Sequence, residues 1–374
     1  MLAIAWKNLI HDRVRLVVTL VGIVFALVLI LVQVGLFLGF LDTSSNIVGH
    51  SNADLWITAP SIPHVNGGAV LSENHRYLAL GAPGVERVER YSVFFVNWKL
   101  PTGAQESVQV VGFHPDSDMG GPWNLTQGSV QDLWREDAVI IDELYRDKLG
   151  VKEIGQTFEI NGRRARIVGF TRGIRSFTTS PYVYTTFKNS QNYIGLDERQ
   201  TIYFLVRLSA GADAAAVQTA LQRRLPDVDV LTNAQMLDRT KNYWLFGTGA
   251  GSTTIMGAVL GLIVGIVVVA QTLYAATMDH IREFGTLKAM GATNGHIYQV
   301  ILAQAFMSGI AGYAIALGVA LLVSKGAESG NAPILIPPLV AAGAVLLALV
   351  MCAGASLISI RKATTIDPAM VFRG

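Results

Sequence analysis

A single cysteine, Cys352, occurs among the 374 residues, so no disulfide can close within the chain. A lone thiol inside an apolar run acts as a small hydrophobe, and every folded part must rest on its own core. Charge is scarce as well. Only 15% of residues are charged, against roughly 25% in an ordinary soluble domain. A net charge of +2 gives no electrostatic footprint for nucleic acid, which is set aside as a partner. Catalytic signatures are missing too. There is no GxxxxGK followed by Ser or Thr, no GxSxG, no HExxH and no Cys/His cluster, which removes the usual phosphate loop, serine nucleophile and zinc site. The chain is therefore expected to be no enzyme and to hold no cofactor or metal of its own.

What the sequence has in quantity is apolar residues, 51% of the total, and they are bunched. Four stretches free of Asp, Glu, Lys, Arg and His read as membrane spans: residues 16–41, 253–277, 297–324 and 332–360. A span needs about 20 apolar residues. The first run reaches about 39 Å as a helix and should tilt or project beyond a hydrocarbon core of about 30 Å. It is too long for a signal peptide and ends in Phe37, Leu38, Phe40 and Leu41 rather than small residues. The strongly polar side chains inside the spans are a few amides, Gln33, Gln271 and Gln304 among them. Ion-coupled carriers usually keep ionisable groups at membrane depth, so their absence argues against a secondary transporter and a hydrophilic pore.

Basic residues flank the spans unevenly. Lys7, Arg13 and Arg15 precede the first, Arg282 and Lys288 lie between the second and third, and Arg361, Lys362 and Arg373 follow the fourth. The positive-inside rule places both termini and the 278–296 loop in the cytoplasm, and residues 42–252 outside. Residues 325–331 form a short outer loop. The N-terminal residues 1–15 carry Leu2, Trp6, Leu9 and Ile10 on one face and read as an interfacial amphipathic helix. Gly257, Gly261 and Gly265 recur every four residues, a spacing that admits close helix packing, within one chain or between two copies. Gly35 with Gly39, and Ser308, Gly312 and Ala316, repeat the pattern.

The outer segment reads as mixed α and β. Ala53–Thr58, Tyr91–Trp98 and Glu106–Phe113 are strand-like, the last two parted by Pro101-Thr102-Gly103. Gln156–Ile160 and Ala165–Phe170 flank Asn161-Gly162, a strong hairpin signal. Asp142–Leu149 reads as a helix closing on Gly150. Asp213 caps a helix carrying Val217, Leu221 and Leu225, bracketed by strands at Ile202–Leu208 and Val228–Leu231 as a βαβ unit. Asp116, Asp118 and Gly121 only partly match a calcium loop, with Gln127 where its Glu belongs, and read as a turn after a strand. His64 and His75 read as ordinary loop residues.

The cytoplasmic loop places Ile281, Phe284, Leu287 and Met290 three apart, one apolar stripe on a short helix ending at Gly291, with Arg282, Glu283 and Lys288 elsewhere on it. Such a helix either lies on lipid or fits a groove on a soluble partner. Here a family resemblance becomes specific. REFGTLKAMGAT at 282–293, including Gly285, resembles the loop segment of the MacB/FtsX/LolC permease superfamily, and Ile366-Asp367-Pro368-Ala369 resembles its C-terminal ending. Ala53-Asp54-Leu55, Val110–Phe113 and Ile167–Phe170 are similar to its outer domain, and the opening AWKNLIHDRVR is most similar to DevC-type permeases. Gln304, in place of an acidic residue, and Phe284, in place of Ile or Val, depart from the pattern.

The resemblance implies a four-helix membrane protein, one helix plus three, with a large mixed α/β MacB-like periplasmic domain containing a porter-like part and a β-rich insertion near 106–200. It implies the permease subunit of an ABC-type exporter in the bacterial inner membrane. ATP is bound by a separate ATPase subunit, coupled through Ile281, Arg282, Glu283, Phe284, Gly285, Leu287, Lys288 and Met290. A second permease copy, a periplasmic adaptor and an outer-membrane channel complete the assembly. Two alternatives share the resemblance: an FtsX-like regulator of cell-wall hydrolases and a lipoprotein-releasing permease.

Overall fold

The computed structural model describes residues 13–178, 180–279, 286, 293–327 and 333–364. The chain divides into two compact units, Phe40–Ala250 and the remainder. Helix α1 covers Arg13–Gly49, a length of about 55 Å at 1.5 Å per residue. Its apolar part is helical because lipid offers the backbone no hydrogen-bond partners, so each N–H and C=O must pair within the segment. The helix continues past Leu41 through a polar stretch. There the hydroxyls of Thr43, Ser44 and Ser45 donate to the carbonyls of Phe40 and Leu41 one turn back.

The 40–250 unit is built on one sheet. Its strands are β1 (Leu55–Thr58), β3 (Val85–Lys99), β4 (Gln105–Phe113), β5 (Leu125–Gln127), β6 (Ala138–Asp142), β7 (Thr157–Ile160), β8 (Arg163–Thr171), β9 (Tyr182–Thr186), β11 (Tyr203–Leu208) and β12 (Asp229–Thr232), while β2 (Leu71–Ser72) and β10 (Gln200–Thr201) pair separately. The helices are α2 (Asn74–Leu80), α3 (Arg146–Leu149), α4 (Phe187–Ile194), α5 (Ala214–Arg224) and α6 (Asn233–Asn242). The sheet runs β12-β1-β11-β3-β4-β9-β6-β8-β5, with β7 joined to β3 and β8.

Several expected elements appear where the turn chemistry puts them. β7 and β8 pair across Asn161 and Gly162, both at positive φ, the backbone that a two-residue hairpin turn demands. The Asp213 carboxylate accepts from Ala215 N at 3.0 Å and starts α5. β11 and β12 do bracket α5, but β1 lies between them and is antiparallel to both, so the unit is a split βαβ. The expected helix from Asp142 is only partly present. Asp142 ends β6 and caps a 3-10 turn at Glu143–Tyr145, and α3 follows with its stop at Gly150 in the left-handed region. The Asp116–Asp118 segment is a turn whose carboxylates are taken by Arg207 and Trp134, and no metal-binding group occurs among the described residues.

Two cores lie on opposite faces of this sheet. Val111, Ile140 and Tyr184 join Trp56, Tyr203 and Leu205 on one face. Their sequence neighbours Val110, Ile141 and Val183 join Trp98, Tyr145 and Leu149 on the other. Central strands covered on both faces lose the apolar/polar alternation. The segment near 106–200 shares this sheet through the long strand β3. Trp56 anchors the first core, edge-on to Tyr91 and Tyr203 with ring centroids 5.6 Å away, its indole N–H donating to Asn233 Oδ1 at 2.9 Å.

The other unit contains the apolar part of α1 with α7 (Ala250–Asp279), α8 (Asn294–Ala327) and α9 (Pro338–Thr364). All four helices are long and apolar enough to cross a membrane. Their outward surface is apolar: Val14, Leu322 and Leu339 are 76%, 71% and 83% exposed, an arrangement that water penalises and lipid accepts. Ile23, Leu27, Val269, Ala305, Ala348 and Cys352 form the interior. Pro338 opens α9 at the first helical position, where its missing N–H costs nothing.

Candidate functional site

The sequence nominated two groups of residues. Ile281, Arg282, Glu283, Phe284, Gly285, Leu287, Lys288 and Met290 lie outside the described residues, as do residues 1–12 and 365–374. Gly257, Gly261 and Gly265 are described, and all three face α1. A Cβ on Gly257 would lie 2.7 Å from Gln33 Nε2, on Gly261 2.9 Å from Leu29 Cδ2, and on Gly265 2.6 Å from the Cβ of Ala26. Ascending positions on α7 meet descending ones on α1, so the two helices run antiparallel, side chains of α1 filling the notches. Gly312 on α8 receives Ile23, and Gly309 lies beside the Cys352 thiol.

The Gly35 and Gly39 pair has a different use. The extended segment 333–337, ahead of α9, crosses α1 there, and Leu335 N–H donates to the Gly35 carbonyl at 3.0 Å. A Cβ on Gly35 would meet Ile334 at 2.6 Å. Alongside, a groove of about 450 Å³ opens between α1, α7 and α9, lined by Ile30, Gln33, Phe37, Ile255, Val259 and Val340 among others.

In the α/β unit, a chain of aromatic rings joins segments far apart in sequence. Phe40 meets Phe177 at 5.2 Å, Phe177 meets Trp244 at 4.1 Å, and His64 lies 4.3 Å from Tyr243 and 4.9 Å from Trp244. Tyr243–Gly247 is a π-type turn, a form that often marks functional positions. Burial lowers the His64 pKa from the usual imidazole value, and the Asn66 N–H donates to its Nδ1 at 3.2 Å, which requires that nitrogen to be unprotonated. His64 does lie in a loop, as expected, but packed against Tyr243 and Trp244, whereas His75 sits on α2 with Nε2 2.9 Å from Asp227.

The loop that carries Phe177 is held from below. Asp142, 2% exposed, accepts from Ile174 N at 2.7 Å, Thr171 Oγ1 at 2.9 Å and Leu144 N at 3.0 Å. Burial pushes its carboxyl above the usual carboxylate range, and these donors, with Gly173, pull against that rise. Gln109 Nε2 donates to Ser176 Oγ and Thr178 Oγ1 at 2.8 and 2.9 Å, while its Oε1 accepts from Asn66 Nδ2. One buried amide thereby ties the 172–178 loop to the segment bearing His64. Asn46 Nδ2 on α1 donates to the Arg175 carbonyl at 2.6 Å.

Four helices apolar enough to cross a membrane, in the order one then three, with an α/β domain between the first two in sequence, define a membrane-embedded protein. Residues 16–224 match the MacB-like periplasmic core domain and residues 255–368 the FtsX-like permease C-terminal domain. The chain belongs to the MacB/FtsX-type family of ABC transporter permeases. It is 26% identical over 239 residues to the uncharacterized ABC transporter permease YknZ of Bacillus subtilis, covering 59% of this chain and 57% of that one. With an uncharacterized ABC transporter permease of Methanocaldococcus jannaschii it shares 22% over 184 residues, 47% of this chain and 45% of the other. The chain thus spans about half the length of the curated relatives it matches. Among solved structures, the periplasmic region of MacB from Actinobacillus actinomycetemcomitans aligns at 14% identity and TM-score 0.39, over 53% of this chain and 96% of that one. The extracellular domain of YknZ aligns at 14% and 0.37, over 48% and 100%.

Proposed function

We propose that this chain is the permease subunit of an ABC-type exporter, energised by a separate ATPase. The observation that carries this reading is the joint match of an FtsX-like membrane part and a MacB-like core domain to one chain whose four spans hold no ionisable side chain. A chain without a phosphate loop needs a partner to bind ATP. The apolar stripe Ile281, Phe284, Leu287 and Met290, on the loop given to the cytoplasm by the positive-inside rule, is the surface assigned to that partner.

In this reading both termini are cytoplasmic, the α/β domain is periplasmic and the membrane is the bacterial inner membrane. Two permease copies pair above two ATPases, and closure of the ATPases is transmitted along α1 and α7 to the outer domains. Substrate is taken from the periplasm or the outer leaflet and passes to an adaptor and an outer-membrane channel. Spans without a polar tunnel suit a machine of this kind.

The test is affinity purification of the tagged chain from native membranes in mild detergent, with mass spectrometry of what accompanies it. An ATPase together with a periplasmic adaptor is the expected result. An ATPase with a cell-wall hydrolase instead would make the chain a regulator, and recovery without any ATPase would end the ABC reading.

A further inference from the structure

Phe246 is 73% exposed, the highest value for any large apolar side chain among the described residues of the α/β unit. Tyr77, the next, is 63% exposed. The exposure of Phe246 matches that of Leu322, 71%, on a helix long and apolar enough to cross the membrane. A phenyl ring left this open on a surface facing water loses the benefit of burial.

Chain connectivity shows what covers it. Phe246 lies five residues before Gly251, where an apolar span begins. Phe40, at one end of the ring chain, lies at the end of the apolar run 16–41 of α1. From Phe40 the rings run through Phe177 to the half-buried Trp244 and Tyr243, and Phe246 follows Trp244 by two residues in the sequence. Tyr and Trp are the residues that concentrate where hydrocarbon meets headgroup, although the Trp244 N–H is itself buried and without a hydrogen-bond partner among the described residues. Lys241, just ahead of them, makes no ion pair among the described residues. A cation beside a run of Tyr, Trp, Leu and Phe has the composition of a segment lying in a membrane interface, with charge toward phosphate and rings toward acyl chains.

We infer that Lys241–Phe246, with Phe40 and Phe177, is a lipid-binding patch seated in the headgroup-to-acyl boundary of the leaflet beside the α/β domain. Phe246 inserts deepest and Lys241 meets the phosphates. His64 and Gln109 hold the patch in shape from the protein side, through the stacked rings and the tied loops. This inference needs neither an ATPase partner nor a transported substrate, so it stands or falls apart from the exporter reading.

The test uses the full chain reconstituted in phosphatidylcholine nanodiscs, with F246W placed in a W244F background as reporter. Emission in excess of the W244F chain is expected to be blue-shifted. It should be quenched more by lipids brominated near the glycerol end of the acyl chain than by lipids brominated near the terminal methyl. Emission at the wavelength of water-exposed tryptophan, quenched by acrylamide in solution, would overturn the inference. So would blue-shifted emission insensitive to every brominated lipid, which would mean a protein surface covers the site. W244F alone supplies a second readout that keeps Phe246 in place: it should remove part of the brominated-lipid quenching of the wild-type chain, and unchanged quenching would count against the patch.

Discussion

At Gly265 and Gly261 a single added methyl group meets different neighbours. On Gly265 it would lie 2.6 Å from the Cβ of Ala26 and 2.9 Å from Met351 Sδ. A Cβ is fixed to its backbone, so the helices themselves must part. On Gly261 the nearest atom is Leu29 Cδ2, at 2.9 Å, the far end of a side chain that can rotate. G265A is therefore expected to destabilise the helix bundle by about 1–3 kcal/mol, the usual cost of overpacking, and G261A by clearly less. Thermal unfolding of both variants in detergent checks the order, and equal losses would mean the α1–α7 packing is misjudged. His64 gives a pH prediction. Its pKa is lowered in the folded chain, so the unfolded chain takes up the proton first as pH falls. Stability is then complete above the ordinary imidazole value of about 6.5 and declines as pH drops through it toward the folded value. Protonation also costs the bond from Asn66 N–H. The decline in thermal midpoint between pH 7.5 and 5.5 (both roughly chosen to bracket that value) should be smaller in H64Q, and equal slopes would remove His64 as the cause.

Elements declare themselves in a sequence when their cause is local. Asn161-Gly162 supplies the two positive φ angles a tight hairpin needs, and Asp213 supplies a cap, so β7–β8 and α5 stand where the sequence puts them. β6 and β9 have no such signal. AVIID and YVYTT are buried along their whole length, so alternation vanishes, and their partners arrive from afar: β9 runs parallel to β4, and β6 parallel to β8. The aromatic patch was hidden for the same reason, since Phe40, His64, Phe177 and Trp244 come from four separate segments. The stripe at Ile281, Phe284, Leu287 and Met290 is read from a helical period in the sequence alone, and it lies outside the described residues. The coupling role proposed for it leads to a prediction for Glu283 and Gly285, which lie beside the stripe in the sequence. Replacing either should leave membrane insertion intact and ATP hydrolysis by the partner running, while export falls. Paired assays of hydrolysis and export in the same vesicles check this, and full export by both E283A and G285L would remove the loop from the coupling path.

Taken whole, the chain separates the tasks of a transporter by what each part lacks. The spans hold no Asp, Glu, Lys, Arg or His, so they offer no proton relay, which needs groups that titrate at membrane depth. The α/β domain has its two cores on either face of one sheet and no metal-binding group among the described residues. Neither part carries a phosphate loop. On the exporter reading proposed above, energy enters from another chain, as ATP rather than as an ion gradient. This sets a distinction that vesicles can resolve. In vesicles holding this permease with its ATPase, collapsing the proton gradient while ATP is maintained should leave export at its full rate. Omitting ATP, or replacing it with a non-hydrolysable analogue, should abolish export with the gradient intact. The purified chain alone should show no ATP turnover above that of a mock preparation. If the gradient proved necessary and ATP dispensable, the amides Gln33, Gln271, Gln299 and Gln304 would be the strongly polar groups in the spans on which to build a carrier. An amide cannot take up or release a proton near neutral pH, so that outcome would overturn the division of labour between the spans and a partner ATPase.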